Sequence, residues 1–150
     1  MHIRMMYHLN GIDYVDDPYN ISGERSRDIF KIISLILVNA SSEKEAIRAI
    51  RNELKGNGND LDLTDKGIKK MIHKFRDKHD PILNLIGKGL KMQFLDSKIA
   101  ERIIINMMKE NIPVLAIHDS FVVQKEYEST LSDEMINSYK KETGFRPVVH

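Results

Sequence analysis

The stretch RSRDIFKIISLILVNA, ending at Ala40, constrains this chain most. Its spacing predicts a helix over about residues 24–39, with Ser22 as N-cap and Glu24 and Asp28 in the turns that favour acids. Ile29, Phe30, Ile32, Ile33, Leu35, Ile36, Leu37 and Val38 put apolar side chains nearly all round it. Such a helix is expected to be mostly buried, so the rest of the chain must be packed around it. A chain of 150 residues that is 41% hydrophobic has enough material for one domain with a core. The same stretch is too short, and too interrupted by Lys31, to span a bilayer, and no run of apolar residues elsewhere is longer. Net charge is +1, so bulk charge gives no reason to expect nucleic acid, and any such case rests on local placement. Cysteine is absent, which excludes disulfides and thiolate metal sites and suits a reducing cytoplasm.

Around that helix the punctuation is regular. Residues 1–9 have helical spacing at Ile3, Met6, Tyr7 and Leu9. NGIDYVDDPYNISGE is turn-rich. Ser41 or Ser42 opens a further helix, with Glu45 in a capping arrangement, and GNGND ends it after Lys55. Thr64 caps a helix over about 65–78, and Pro81 starts a short one. The lysine-rich face of KGIKKMIHKFRDKH reads as solvated, although it also suits a phosphate backbone. GKG at 87–89 is a break. A long helix over about 93–110 aligns Phe94, Ile99, Ile103, Met107 and Met108, and a last one over about 126–142 aligns Leu131, Met135 and Tyr139. GFRPVVH is expected to return as an edge strand, and the scattered methionines to fill gaps in the core. No His pair has the spacing of a zinc-binding helix. The expected class is α+β, mainly helical and packed around a small antiparallel β-hairpin.

The hairpin is NIPVLAIHDSFVV. Its two strands are expected to bury their apolar residues and to lift Asp119 to the rim between His118 and Ser120. A buried carboxylate needs a partner, and a hard cation such as Mg²⁺ is one. A plain turn is the competing reading, because Asp and Ser favour turns. The helix at 24–39 adds a second feature. Arg27, Lys31 and Asn39 fall within an arc of about 120°. The two cations need anionic partners: Asp28 or Glu24, solvent, or a polyphosphate.

Together these residues resemble two motifs of family A DNA polymerases and single-subunit phage-type RNA polymerases. Arg27-x-x-x-Lys31 followed by Asn39-Ala40 resembles the fingers-helix motif, and Ile117-His118-Asp119-Ser120-Phe121 resembles the palm hairpin. GKGLKMQFLDSKIAERIIINMMKENIPVLAIHDSF is similar to the segment leading into that hairpin. The resemblance covers most of residues 20–140 and implies a single truncated polymerase-like domain, fingers-like over about 20–90 and palm-like over about 91–150. It implies Arg27 and Lys31 as triphosphate contacts, with Asn39 beside them, Asp119 as a Mg²⁺ ligand, and His118 and Gln93 as contacts to the primer-template duplex. Catalysis would rest on Asp119, Lys31 and His118, in the cytoplasm of a bacterial cell or phage-infected host.

Two departures stand out. Asn39 replaces the family's aromatic residue. The palm strand carrying a second metal-binding aspartate is not found and is expected upstream of Met1; Asp13, Asp16 and Asp17 do not match it by position. Two-metal chemistry needs carboxylates that hold ions about 3.5–4 Å apart. The expectation is therefore a nucleotidyltransferase fragment inactive alone, with an unpaired palm edge that favours a homodimer. Two alternatives stay open. One is a non-enzymatic module binding nucleic acid or protein. The other is a metal-dependent phosphohydrolase in which Asp119 joins Asp96 or Asp13.

Overall fold

Among the described residues, six α-helices, two 3₁₀ elements and one β-ribbon follow one another: α1 (His2–Leu9), α2 (Arg27–Asn39), α3 (Glu43–Lys55), α4 (Asp65–Lys78), a 3₁₀ helix (Asp80–Leu85), α5 (Gly89–Lys109), β1 (Leu115–Ile117), β2 (Ser120–Val122), a short 3₁₀ turn (Lys125–Tyr127) and α6 (Glu128–Thr143). The structure is a computed structural model and describes residues 2–23, 26–55, 62–117 and 120–147. It is 70% helical with one two-stranded antiparallel sheet, a mainly helical α+β protein. Among the described residues no helix is long and apolar enough to cross a membrane.

Local chemistry sets the helix ends. Thr64 caps α4 by accepting the Gly67 N–H. Ser42 Oγ accepts the Glu45 N–H at the start of α3, and Glu45 turns back to Ser41, whose N–H and hydroxyl both donate to its carboxylate. The cap of α2 is Ser26, four residues later than Ser22, and its side chain makes no cap hydrogen bond. Two helices end in the same crossed pair of backbone bonds. At α1, Ile12 N–H reaches Tyr7 O and Gly11 N–H reaches His8 O, with Gly11 at φ 76°. At α5, Ile112 N–H reaches Met107 O and Asn111 N–H reaches Met108 O, with Asn111 at φ 58°. Asn tolerates that left-handed position better than most side chains.

The chain divides into two compact units, Met1–Leu90 and Lys91–His150. In the first, α2 packs on α3 and α4, α3 on α4, and the 3₁₀ helix on α1 and α4. Met5, Met6, Ile33, Ile50, Ile68, Phe75 and Ile82 are wholly buried there. Phe30, Ile33, Leu37 and Val38 of α2 are buried and Ile29, Ile32 and Ile36 partly so, whereas Leu35 is 62% exposed and shares the open side with the polar residues.

In the second unit, α5 and α6 run antiparallel, since Arg102 bonds Glu142 and Asn106 bonds Glu134. Met92, Ile99, Ile103 and Met107 form the buried stripe of α5, while Phe94 and Met108, expected beside them, are exposed. Helical phase explains this, because Phe94 lies two positions past Met92 and Met108 one past Met107. Residues 144–147 form no strand, and 148–150 lie outside the described residues. The hairpin pairs Leu115 with Val122, Ala116 with Phe121 and Ile117 with Ser120. Its apolar side chains are not buried as expected: Leu115 is 59%, Ile117 46% and Val122 51% exposed. Two strands make a single layer, and among the described residues no third strand joins them.

Candidate functional site

Arg27, Lys31, Leu35 and Asn39 recur every fourth residue along α2, each about 40° further round. All four are exposed, opposite the buried face. This is the arc expected from the spacing. Arg27 donates from Nε to Asp17 Oδ2 at 2.5 Å, while Asp28 is 4.0 Å from Nη1. Its guanidinium carbon also lies 5.6 Å from the centre of the Tyr19 ring. Lys31 makes no ion pair among the described residues.

Asp17 and Tyr19 belong to the turn-rich stretch after α1, and a buried aromatic cluster anchors that stretch. Tyr7 and Tyr14 stack with ring centroids 4.2 Å apart. His79, fully buried at the end of α4, has Nδ1 2.8 Å from the Tyr7 hydroxyl and Nε2 2.8 Å from Pro18 O. A carbonyl can only accept, so Nε2 carries the proton and Nδ1 accepts from Tyr7. Burial pushes the Tyr7 phenol up to about 12, with Tyr14 adding to the effect, and burial lowers His79 below its ordinary value. Lys78 Nζ donates to Asn20 O at 2.7 Å and ties down the far end. The loop thus reaches Arg27 already ordered. The Asp17 carboxyl is held below the usual range, chiefly by the Tyr19 N–H it accepts; desolvation opposes this, and Arg27 adds to the lowering.

Asn39, at the far end of the arc, has a partner within its own helix. Its side-chain amide donates to Leu35 O at 2.7 Å and closes the end of α2. A Cβ added at Gly89 would collide with that amide, and Gly87 N–H donates to Leu37 O at 3.2 Å. GKG is therefore more than a break: both glycines let the chain pass close against the C-terminal end of α2. The Asn39 amide is thus bonded to its own helix, while the residue itself stays exposed on the same side as Arg27 and Lys31.

The other expected site residues belong to the second unit. Gln93 is exposed on α5. His118 and Asp119, which link the paired Ile117 and Ser120, lie outside the described residues. Two of the acids offered as partners for a metal have partners in the first unit: Asp13 Oδ1 is 3.5 Å from His8 Nε2, and Asp17 holds Arg27. Among the described residues no three metal-binding side chains converge.

The sequence reading missed the Asp17–Arg27 pair. The two are ten residues apart across a loop, a distance no helical period reports. Comparison with known protein families, characterised proteins and solved structures finds no match to this chain.

Proposed function

We propose that this chain carries the nucleotide-contacting helix and second palm motif of a template-dependent nucleotidyltransferase of the DNA or RNA polymerase type, and that it is inactive alone. One observation carries the reading. The exposed face of α2 presents Arg27 and Lys31 at the spacing that the resemblance requires, and the Arg27 guanidinium already holds an oxyanion, the Asp17 carboxylate. A phosphate offers the same kind of acceptor with more charge. In this reading Arg27 clamps the terminal phosphate of a nucleoside triphosphate once Asp17 swings aside, and Lys31 offsets charge on the phosphate chain. Asp119 contributes one carboxylate for Mg²⁺, His118 meets the primer backbone, and Gln93 meets the edge of the duplex. The resemblance assigns only one metal-binding aspartate to these residues, and in this reading turnover is not expected from them alone.

Titration with a fluorescent nucleoside triphosphate tests the reading without requiring turnover. Lys31→Ala and Arg27→Ala are each expected to weaken binding about tenfold or more, as for hydrogen bonds to charged groups. Asp17→Asn is expected to strengthen it by removing the competing carboxylate. Triphosphate binding indifferent to all three substitutions would overturn the assignment.

The exposed Leu115, Ile117 and Val122 support a second reading, a non-enzymatic module whose ribbon pairs with a second copy of this chain. Triphosphate binding separates the two, because the module does not require it. Light scattering after size-exclusion chromatography tests the pairing itself: a dimer lost on Ile117→Lys is expected, and a monomer at all concentrations removes it.

A further inference from the structure

We propose that the groove between α5 and α6 binds single-stranded nucleic acid along its phosphate backbone, with Phe94 as a stacking platform at one end. The groove lies wholly within the second unit and uses neither Arg27, Lys31 nor Asp119, so it stands independently of the reading above.

Its floor is a fixed polar network. Arg102 donates to Glu142 Oε1 at 2.5 Å and to Ser138 O at 3.3 Å. Asn106 and the Ser138 hydroxyl both donate to Glu134 Oε1, at 2.8 and 2.6 Å. These residues are part-buried, and each charge on the floor has a partner. The rim is different. Lys98, Lys109 and Lys141 line the groove, are exposed, and make no hydrogen bond or ion pair among the described residues. Glu101 is the acid that lines it with them. The rim is therefore net positive, three lysines against Glu101, over a floor whose charged groups are all hydrogen-bonded, although the whole chain carries only +1.

The spacing selects the ligand. Lys98 and Lys109 are eleven residues apart on one helix, about 16 Å. No single phosphate group reaches across that span, whereas a run of phosphates does. One turn before Lys98, Phe94 is 58% exposed, and the Lys98 ammonium lies 5.0 Å from its ring centre. An exposed aromatic ring beside a row of cations is the arrangement on which unpaired bases stack while their backbone follows the charge. A duplex leaves few base faces free for it. An acidic peptide would find the lysines but has no use for the ring, and Arg102, the side chain best suited to a carboxylate, is already occupied by Glu142.

Fluorescence anisotropy of a labelled oligothymidylate with the full chain decides the matter. Binding is expected to weaken with salt on a log–log slope of about −2, three lysines at roughly 0.7 each. The triple change Lys98→Glu, Lys109→Glu, Lys141→Glu is expected to lower affinity at least about tenfold at low salt. Phe94→Ala is expected to cost about tenfold while leaving the salt slope unchanged. A control, Lys44→Glu, Arg48→Glu, Lys55→Glu on α3, makes the same change in net charge and is expected to alter affinity little. If circular dichroism finds the reversed triple poorly folded, the corresponding Lys→Gln triple replaces it, with the same expectation. Equal losses in the test and control triples would overturn the proposal. So would a Phe94 variant that binds as well as the parent, or polyglutamate that competes as well as unlabelled oligonucleotide.

Discussion

The helical first unit and the ribbon of the second use similar amino acids to opposite ends. In the first, Ile33, Ile50, Ile68 and Phe75 are wholly buried. In the ribbon, Leu115, Ile117 and Val122 are about half exposed. The difference is architectural. A helix covers its apolar face by lying against two or three others, as α2, α3 and α4 do. A two-stranded ribbon has two faces and two edges, and a single layer shields none of them. Apolar content alone therefore does not locate a core; the number of neighbours does.

Truncation breaks this comparison most sharply. Phe75→Ala, in the first unit, is expected to cost about 3–5 kcal/mol in urea unfolding. Val122→Ala, on the exposed ribbon, is expected to stay within about 0.5 kcal/mol. Equal losses would mean that the ribbon is covered in solution. The next effect is smaller. Gly89→Ala forces a methyl group against the Asn39 amide and is expected to cost about 1–3 kcal/mol. In an Asn39→Ala background the same change is expected to cost much less, which a double-mutant cycle measures directly.

The smallest effect is a pH dependence. His79 faces Tyr7, Tyr14, Phe75, Lys78 and the Pro18 carbonyl, and burial keeps its folded pKa below the ordinary imidazole value. The unfolded chain then binds a proton more readily than the folded one. Stability is expected to decline as pH falls below about 6.5 and to level off below the lowered folded value. His8 adds in the same direction, because burial outweighs the opposing pull of Asp13. The slope of the thermal midpoint between pH 7.5 and 5 should be shallower in His79→Gln than in the parent. An identical slope would exclude His79 as a contributor.

Much of the helical frame was legible, because its signals are local. Thr64 and Pro81 mark helix starts through their own hydrogen-bonding and backbone restrictions, and the register of Arg27 and Lys31 follows from counting residues. What was illegible depends on neighbours distant in sequence. Leu35 reads as core until α3 and α4 are seen to cover only the other side of α2. The glycines of GKG read as a stop until the end of α2 is found against them. Asn39 has its expected place on the arc, and its amide bonds back to the end of its own helix. Of the candidate site, exposure of the two cations was foreseeable, but the carboxylate that holds Arg27 was not, since it lies in a loop set in place by residues 7 and 79.

The buried imidazole joins three places in the chain that share no local pattern: a phenol near the start, a proline carbonyl and the end of α4. Exchange of any one partner leaves the others mismatched. Descendants of this sequence are therefore expected to alter Tyr7 and His79 in concert, as when a hydroxyl–imidazole pair gives way to two apolar side chains in one lineage. Such paired replacement would leave its trace in inheritance even where the surface around Arg27 has drifted.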